Sequence, residues 1–246
     1  MTADIPQWNE LDTAAFLAEG DVFVPRREEQ IRIVTDRLFE GKTRPACVFD
    51  LCSGEGLMTK AILDRDPDVK VTAYDASPGM LKATAKTAGD AATRLTARPF
   101  RLEELDWRFH AEPADAVVSS LAVHHLDGPG KARLFRDLFR ILTPGGVFVL
   151  ADLVEPASDA ARRSFARQWE HEVEQRSLAL RGDSSGLERF RALDWNHYDP
   201  RVPDPLDKPS TLVEQTDWLR DAGFEQVDLL WCVAGHVILS AVKPAA

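Results

Sequence analysis

From residue 46 to residue 152 short apolar runs alternate with stretches of helical periodicity, the rhythm of a parallel α/β sheet. Cys47-Val48-Phe49-Asp50-Leu51 reads as a first strand, and a helix continues over residues 56–63. Residues 69–74 read as a second strand. Ser77-Pro78 then supplies an N-cap and a first-turn proline that open the next helix. A third strand falls within residues 94–100 and a fourth over 115–119. Residues 130–142 repeat Leu134, Leu138 and Ile141 at helical spacing, and Thr143-Pro144-Gly145-Gly146 is expected to break that helix before a fifth strand at 147–150.

Outside this stretch the rhythm changes. Val24-Pro25 introduces a helix over 26–40 with Ile31, Val34 and Leu38 on one face. Residues 155–208 carry a helix marked by Phe165, Trp169 and Val173, then a tract rich in Pro, Asp and aromatics, expected to cover the sheet edge as a lid. A helix over 212–222, capped by Gly223, and strands at 227–233 and 236–242 close the pattern. The expected organisation is one α/β domain over 1–246: an N-terminal helical flap (1–45), a core (46–152), an inserted helical lid (153–208), and a closing helix with a strand hairpin (209–246).

Composition adds exclusions. The chain has 246 residues, 44% hydrophobic and 28% charged, the balance of a folded domain. Its net charge of −10 argues against a general nucleic-acid binder, which needs a basic surplus. No run approaches the ~18 apolar residues of a membrane span. Residues 1–10 lack the basic start and apolar core of a signal peptide, so a cytoplasmic location is expected. Cys47, Cys52 and Cys232 form neither an even set nor a CxxC spacing, which argues against disulfides and structural zinc.

The candidate chemistry starts at Asp50-Leu51-Cys52-Ser53-Gly54-Glu55-Gly56, where a strand end meets a helix start and exposed N–H groups can meet a ligand. Asp75 ends the second strand 21 residues after Gly54, where a carboxylate can accept both ribose hydroxyls of an adenosine. A dinucleotide would want a third glycine, and that position is Thr59.

With Val48-Phe49-Asp50, Gly54 and Gly56, Tyr74-Asp75-Ala76-Ser77-Pro78-Gly79-Met80, Ala114-Asp115-Ala116-Val117-Val118 and Leu142-Thr143-Pro144-Gly145-Gly146, the sequence resembles the class I S-adenosylmethionine-dependent methyltransferases. One departure is Cys52, which stands where the family's loop has its first glycine. The resemblance implies a Rossmann-like, seven-stranded, mostly parallel sheet with helices on both faces and a last strand running antiparallel. It implies S-adenosylmethionine as cofactor and S-adenosylhomocysteine as product. Asp50 and the backbone from Cys52 through Ser53, Gly54, Glu55 and Gly56 would face the cofactor's amino-acid part. Asp75 would hold the ribose, Ala76, Ser77, Met80, Arg101 and Leu102 would lie around the adenosine, and Ser119 and Ser120 would approach the methionine part.

His124-His125 follows the fourth strand, where the transferable methyl should emerge, so His125 or His124 is the candidate base for a hydroxyl, amine or thiol acceptor on a small molecule. Arg27 is a candidate partner for the cofactor carboxylate. Trp8, Phe23, His171, Trp195, His197, Tyr198 and His236 are candidates for an acceptor pocket, apolar with a few polar handles. No metal is expected, because His171, His197 and Asp194 lack helical ligand spacing. Oligomeric state, monomer or homodimer, stays open. Two other readings remain: an enzyme that alters the sulfonium cofactor itself, such as a carboxy-S-adenosylmethionine synthase-like protein, and a non-catalytic cofactor-binding protein.

Overall fold

The computed structural model describes residues 10–40, 44–109, 112–202 and 206–245. Its strands are β1 (Cys47–Leu51), β2 (Lys70–Asp75), β3 (Leu95–Pro99), β4 (Ala114–Ser120), β5 (Leu142–Leu153), β6 (Glu225–Val233) and β7 (His236–Val242). The helices are α1 (Glu10–Phe23), α2 (Arg27–Phe39), α3 (Leu57–Arg65), α4 (Pro78–Ala88), α5 (Asp106–Phe109), α6 (Gly128–Ile141), α7 (Asp159–Arg181), α8 (Ser185–Ala192) and α9 (Leu212–Asp221). The strands form one sheet in the order β3-β2-β1-β4-β5-β7-β6, parallel except for β7, which runs antiparallel to both β5 and β6.

The central strands are buried on both faces, which is why they read as continuous apolar runs. Side chains alternate between two cores: Phe49, Val117, Phe148 and Leu150 face α6 and α9, while Val48, Val118, Val149 and Ala151 face α2 and α3. Strand order reverses between β1 and β4, opening a crevice at the carboxyl ends of these strands, the place where such sheets bind ligands.

Thr143-Pro144-Gly145-Gly146 does not break the chain between elements but lies inside β5. The register slips there, from Ala114 opposite Leu142 to Ala116 opposite Val147. The displaced groups pair with the chain beyond β7, Gly145 N donating to Lys243 O (3.0 Å) and Lys243 N to Gly146 O (2.9 Å). A proline that cannot donate is accommodated at such a bulge.

The lid also differs from expectation. Rather than running along an edge strand, α7 and α8 pack with the end of α1 over the carboxyl end of β5 and the β6–β7 turn. There Phe23, Leu153, Trp169, Phe190, Tyr198 and Ala234 form a third core. Trp169 Nε1 donates to Phe23 O (2.8 Å), and two ion pairs, Arg26–Glu172 and Arg176–Glu28, join α7 to the start of α2.

Candidate active site

The loop after β1 is shaped by backbone conformation. Gly56 takes a left-handed φ of 85°, and a Cβ there would come within 2.7 Å of the Thr84 backbone, so α3 can start this close to α4 only with glycine. Cys52 is also left-handed, at φ 59°, the conformation a glycine adopts without strain. The structure thus keeps the turn and adds a thiol to it. Burial, helped by Asp75, Asp50 and Asp152, holds that thiol well above its usual pKa, so Cys52 stays neutral.

Asp75 accepts the N–H of Gly54 (2.9 Å) and the N–H of Ser77 (2.9 Å), which locks its carboxylate at the end of β2. Asp50 lies beneath the loop and accepts the Thr59 hydroxyl (2.6 Å). Burial, partly offset by Thr59 and reinforced by Asp75, raises the Asp50 carboxyl to about 6. An ammonium group set beside it would favour the ionised form. Met80 and Leu102 are buried near the end of β2 and beyond β3, while Ala76 and Arg101 are exposed. Ser77 serves as the N-cap of α4, accepting from Met80 N.

Other candidates have structural partners. Ser119 is buried and its hydroxyl donates to Leu51 O (3.0 Å), while Ser120 is half-buried. Ser53 is buried against the Thr84 hydroxyl (3.2 Å). Arg27 pairs with Glu55 at 2.7 Å, so its observed partner is the loop itself rather than an open position for the cofactor carboxylate.

The histidine pair sits in a tight turn after β4. His124 is 5% exposed. Its Nδ1 bonds to the buried carboxylate of Asp152, which also accepts the His124 backbone N–H (2.9 Å). Its Nε2 lies 3.3 Å from Asp207, and Asp207 lies 3.0 Å from Nδ1 of the half-buried His125. Burial pulls the His124 imidazolium down, but Asp152 and Asp207 together outweigh it and lift the pKa to about 10. Asp207, half-buried, is held well below the usual carboxylate range by the two imidazoles.

The segment carrying Asp207 is fixed in place. Lys208 N donates to His124 O (2.8 Å), and the buried ammonium of Lys131 donates to the carbonyls of Leu126 and Lys208 and to Ser210 Oγ. Desolvation lowers Lys131 to about 8. Asp152 and Asp207 escape the sequence reading because His124 lies 28 and 83 residues away, and Lys131 because its Lys208 and Ser210 partners lie 77 and 79 residues away.

The pocket candidates fall elsewhere. Phe23 packs edge-on to Phe190 (5.1 Å), and Tyr198 is buried with its hydroxyl 2.9 Å from the carbonyls of Val154 and Gly235. His236 Nδ1 donates to Ala234 O (3.2 Å) while its ring stands edge-on to Trp169 (4.6 Å), and burial lowers its pKa to about 4. His197 is buried with Nε2 3.8 Å from Glu155. These four side chains belong to the packing of the lid. Trp195 lines a groove of about 400 Å³ with Phe190, Arg191, Asn196 and Arg201. His171 is exposed on α7, and Trp8 lies outside the described residues.

Residues 48–146 match a family model described as a methyltransferase domain. Over these residues the chain is similar to methyltransferase domains. A trans-aconitate 2-methyltransferase from Streptomyces coelicolor is 30% identical over 152 residues, 61% of this chain and 46% of that protein. A demethylmenaquinone methyltransferase from Clavibacter sepedonicus is 28% identical over 200 residues, 80% of this chain and 74% of that one. An O-methyltransferase family protein from Burkholderia thailandensis shares the fold with a TM-score of 0.68, covering 97% of this chain and 61% of that chain at 17% identity. The chain thus spans about half the length of the first of these relatives.

S-adenosylmethionine is the cofactor of such methyltransferase domains, and the crevice fits it. Gly54, at φ 55°, has open space where a side chain would stand, and the buried Asp50 suits a cation. A dinucleotide fits poorly, because Thr59, at the third-glycine position, is fully buried and bonded to Asp50. Among the described residues no helix is long and apolar enough to cross a membrane.

Proposed function

We propose that this methyltransferase moves a methyl group from S-adenosylmethionine to an oxygen, nitrogen or sulfur of a small molecule, with His124 accepting the acceptor's proton. The observation that carries the reading is the His124 ring, held on Nδ1 by Asp152 and facing Asp207 with Nε2, at the turn beyond β4 beside the cofactor crevice. Asp50 and the 52–56 backbone hold the amino-acid part, and Asp75 holds the ribose. Met80 and Leu102 bound the adenine. When bound, the cofactor supplies an electrophilic methyl on a sulfonium.

The protein's part is positioning and proton handling. Asp152 fixes the tautomer of His124 with the proton on Nδ1, so Nε2 is the accepting atom. His124 rests as the imidazolium; when the Asp207 side chain gives way to an acceptor O–H, N–H or S–H, the Nε2 proton is released to solvent, and the neutral ring then takes the acceptor's proton at Nε2. Asp152 stabilises the imidazolium so formed. The sequence offers both His124 and His125 as bases; burial and the Asp152 bond favour His124.

The test is mass spectrometry of the ligand that co-purifies, followed by a panel of hydroxyl, amine and thiol acceptors scored for S-adenosylhomocysteine. Bound S-adenosylmethionine or its demethylated product, with turnover on at least one acceptor class, is the expected result. A carboxylated cofactor or a nicotinamide dinucleotide would overturn the proposal.

A further inference from the structure

The sequence offers no metal-ligand spacing, yet the fold gathers one. His124, His125 and Asp207 present ligand atoms that all lie within 4.8 Å of one another. We propose that these three side chains bind a divalent first-row transition ion of the zinc type through His124 Nε2, His125 Nδ1 and an Asp207 oxygen.

Three features support the site. The first is spacing. Metal–ligand bonds of about 2.0–2.1 Å in a tetrahedron set neighbouring ligand atoms roughly 3.3 Å apart. The Asp207 oxygen lies 3.3 Å from His124 Nε2 and 3.0 Å from His125 Nδ1.

The second is support behind the ligands. A metal-bound histidine characteristically gives its other nitrogen to a carboxylate, which fixes the ring and raises its basicity. His124 has that arrangement, with Nδ1 on the buried Asp152. Asp207 is steadied by the Lys208–His124 backbone bond and by Lys131.

The third is the donor set. Two imidazoles and one carboxylate suit zinc, cobalt, nickel or ferrous iron better than magnesium or calcium, which prefer all-oxygen cages. Three protein ligands leave at least one position open, as in catalytic rather than structural sites.

The binding does not rest on the methyl-transfer reading, but it bears on it. A cation and a proton compete for the same Nε2 lone pair, so a metal-loaded molecule cannot use His124 as the base described above.

The test is titration of the chelator-treated full chain with Co²⁺ alone, without cofactor or acceptor, followed by visible absorption. The expected result is a d–d spectrum of low-coordinate cobalt that saturates at one equivalent. It should carry no thiolate-to-cobalt charge-transfer band, which separates this site from Cys52. Asp152→Asn should weaken binding about 10–100-fold. Asp207→Ala and His125→Ala should abolish saturation while circular dichroism and the thermal midpoint show a folded chain. Absence of saturable binding, a thiolate band, or binding indifferent to Asp207→Ala and His125→Ala would overturn the proposal. Because no turnover is measured, failure of the metal site and failure of the methyl-transfer reading are read separately.

Discussion

Arg27 and Glu55 form an ion pair at 2.7 Å that ties the first turn of α2 to the glycine loop. Both side chains are largely shielded, and the Arg27 guanidinium also lies 5.2 Å from the Phe16 ring centroid. The contact joins the N-terminal helices to the cofactor crevice. Arg27→Ala and Glu55→Ala should each destabilise by about 1 kcal/mol. The double variant should lose little more than Arg27→Ala alone, because that change already removes the Glu55 pair along with the Phe16 contact. Urea denaturation of the four proteins in the cycle checks this.

Asp75 should control cofactor affinity. Its carboxylate is held by the N–H groups of Gly54 and Ser77, so little ordering remains to be done when a ribose diol arrives. Asp75→Ala should weaken S-adenosylhomocysteine binding about 10–100-fold, the loss of charge-assisted hydrogen bonds. Calorimetry reads it, and an unchanged affinity would remove the ribose assignment.

Cofactor binding should depend on pH through Asp50. Its carboxyl is raised to about 6, so below that pH the free protein holds it as a neutral acid. An ammonium ligand requires the carboxylate, so affinity should fall by up to about tenfold per pH unit below 6. Asp50→Asn should flatten the profile. The same raised pKa means that ionised Asp50 opposes folding above pH 6, and that opposition fades as pH falls toward 4.

His236 should contribute an acid-labile part of the unliganded protein's stability, opposite in sign to the contribution of Asp50. Its folded pKa is lowered to about 4, against about 6.5 in an unfolded chain, so the folded state binds fewer protons between these values. Stability is then fully present above pH 6.5 and is lost as pH falls toward 4, by up to about 3 kcal/mol. His236→Phe keeps the contact with Trp169 while removing the titration. Denaturation at pH 7.5 and pH 5 should show that, relative to the parent, the variant is more stable at pH 5 than at pH 7.5.

His124→Ala should lower kcat by about 10²–10⁴-fold, the usual span for loss of a proton-accepting group. Affinity for S-adenosylhomocysteine should be preserved, since the ring is not among the cofactor contacts proposed above. His125→Ala should cost less turnover. Steady-state kinetics on any accepted substrate, alongside calorimetry, tests the ordering, and a larger loss for His125→Ala would reverse the assignment.

The parts of the site made by local chain geometry were legible before the fold. Asp50, Cys52, Gly54, Gly56 and Asp75 lie at strand ends whose spacing is written in the text, and the left-handed φ of Cys52 is the conformation the family's glycine implies. Asp152 and Asp207 were not, because what brings them to the candidate site is contact with His124 across 28 and 83 residues. Pro144 and the two glycines after it looked like a boundary, yet a bulge lets β5 run through them. Phe23, Tyr198, His197 and His236 fit a pocket by composition alone. Aromatic rings and buried imidazoles serve a packed lid equally well, and only placement distinguishes the two.

The Trp169–Phe23 bond spans 146 residues, and this separation shapes synthesis as well as the finished structure. At about 5–20 residues per second, the amino-terminal helix leaves the ribosome roughly 7–30 s before the segment that buries it. During that interval Val22 and Phe23 have none of their final neighbours from the second half of the chain. The nascent end must be shielded, or tolerated in water, until translation delivers its cover.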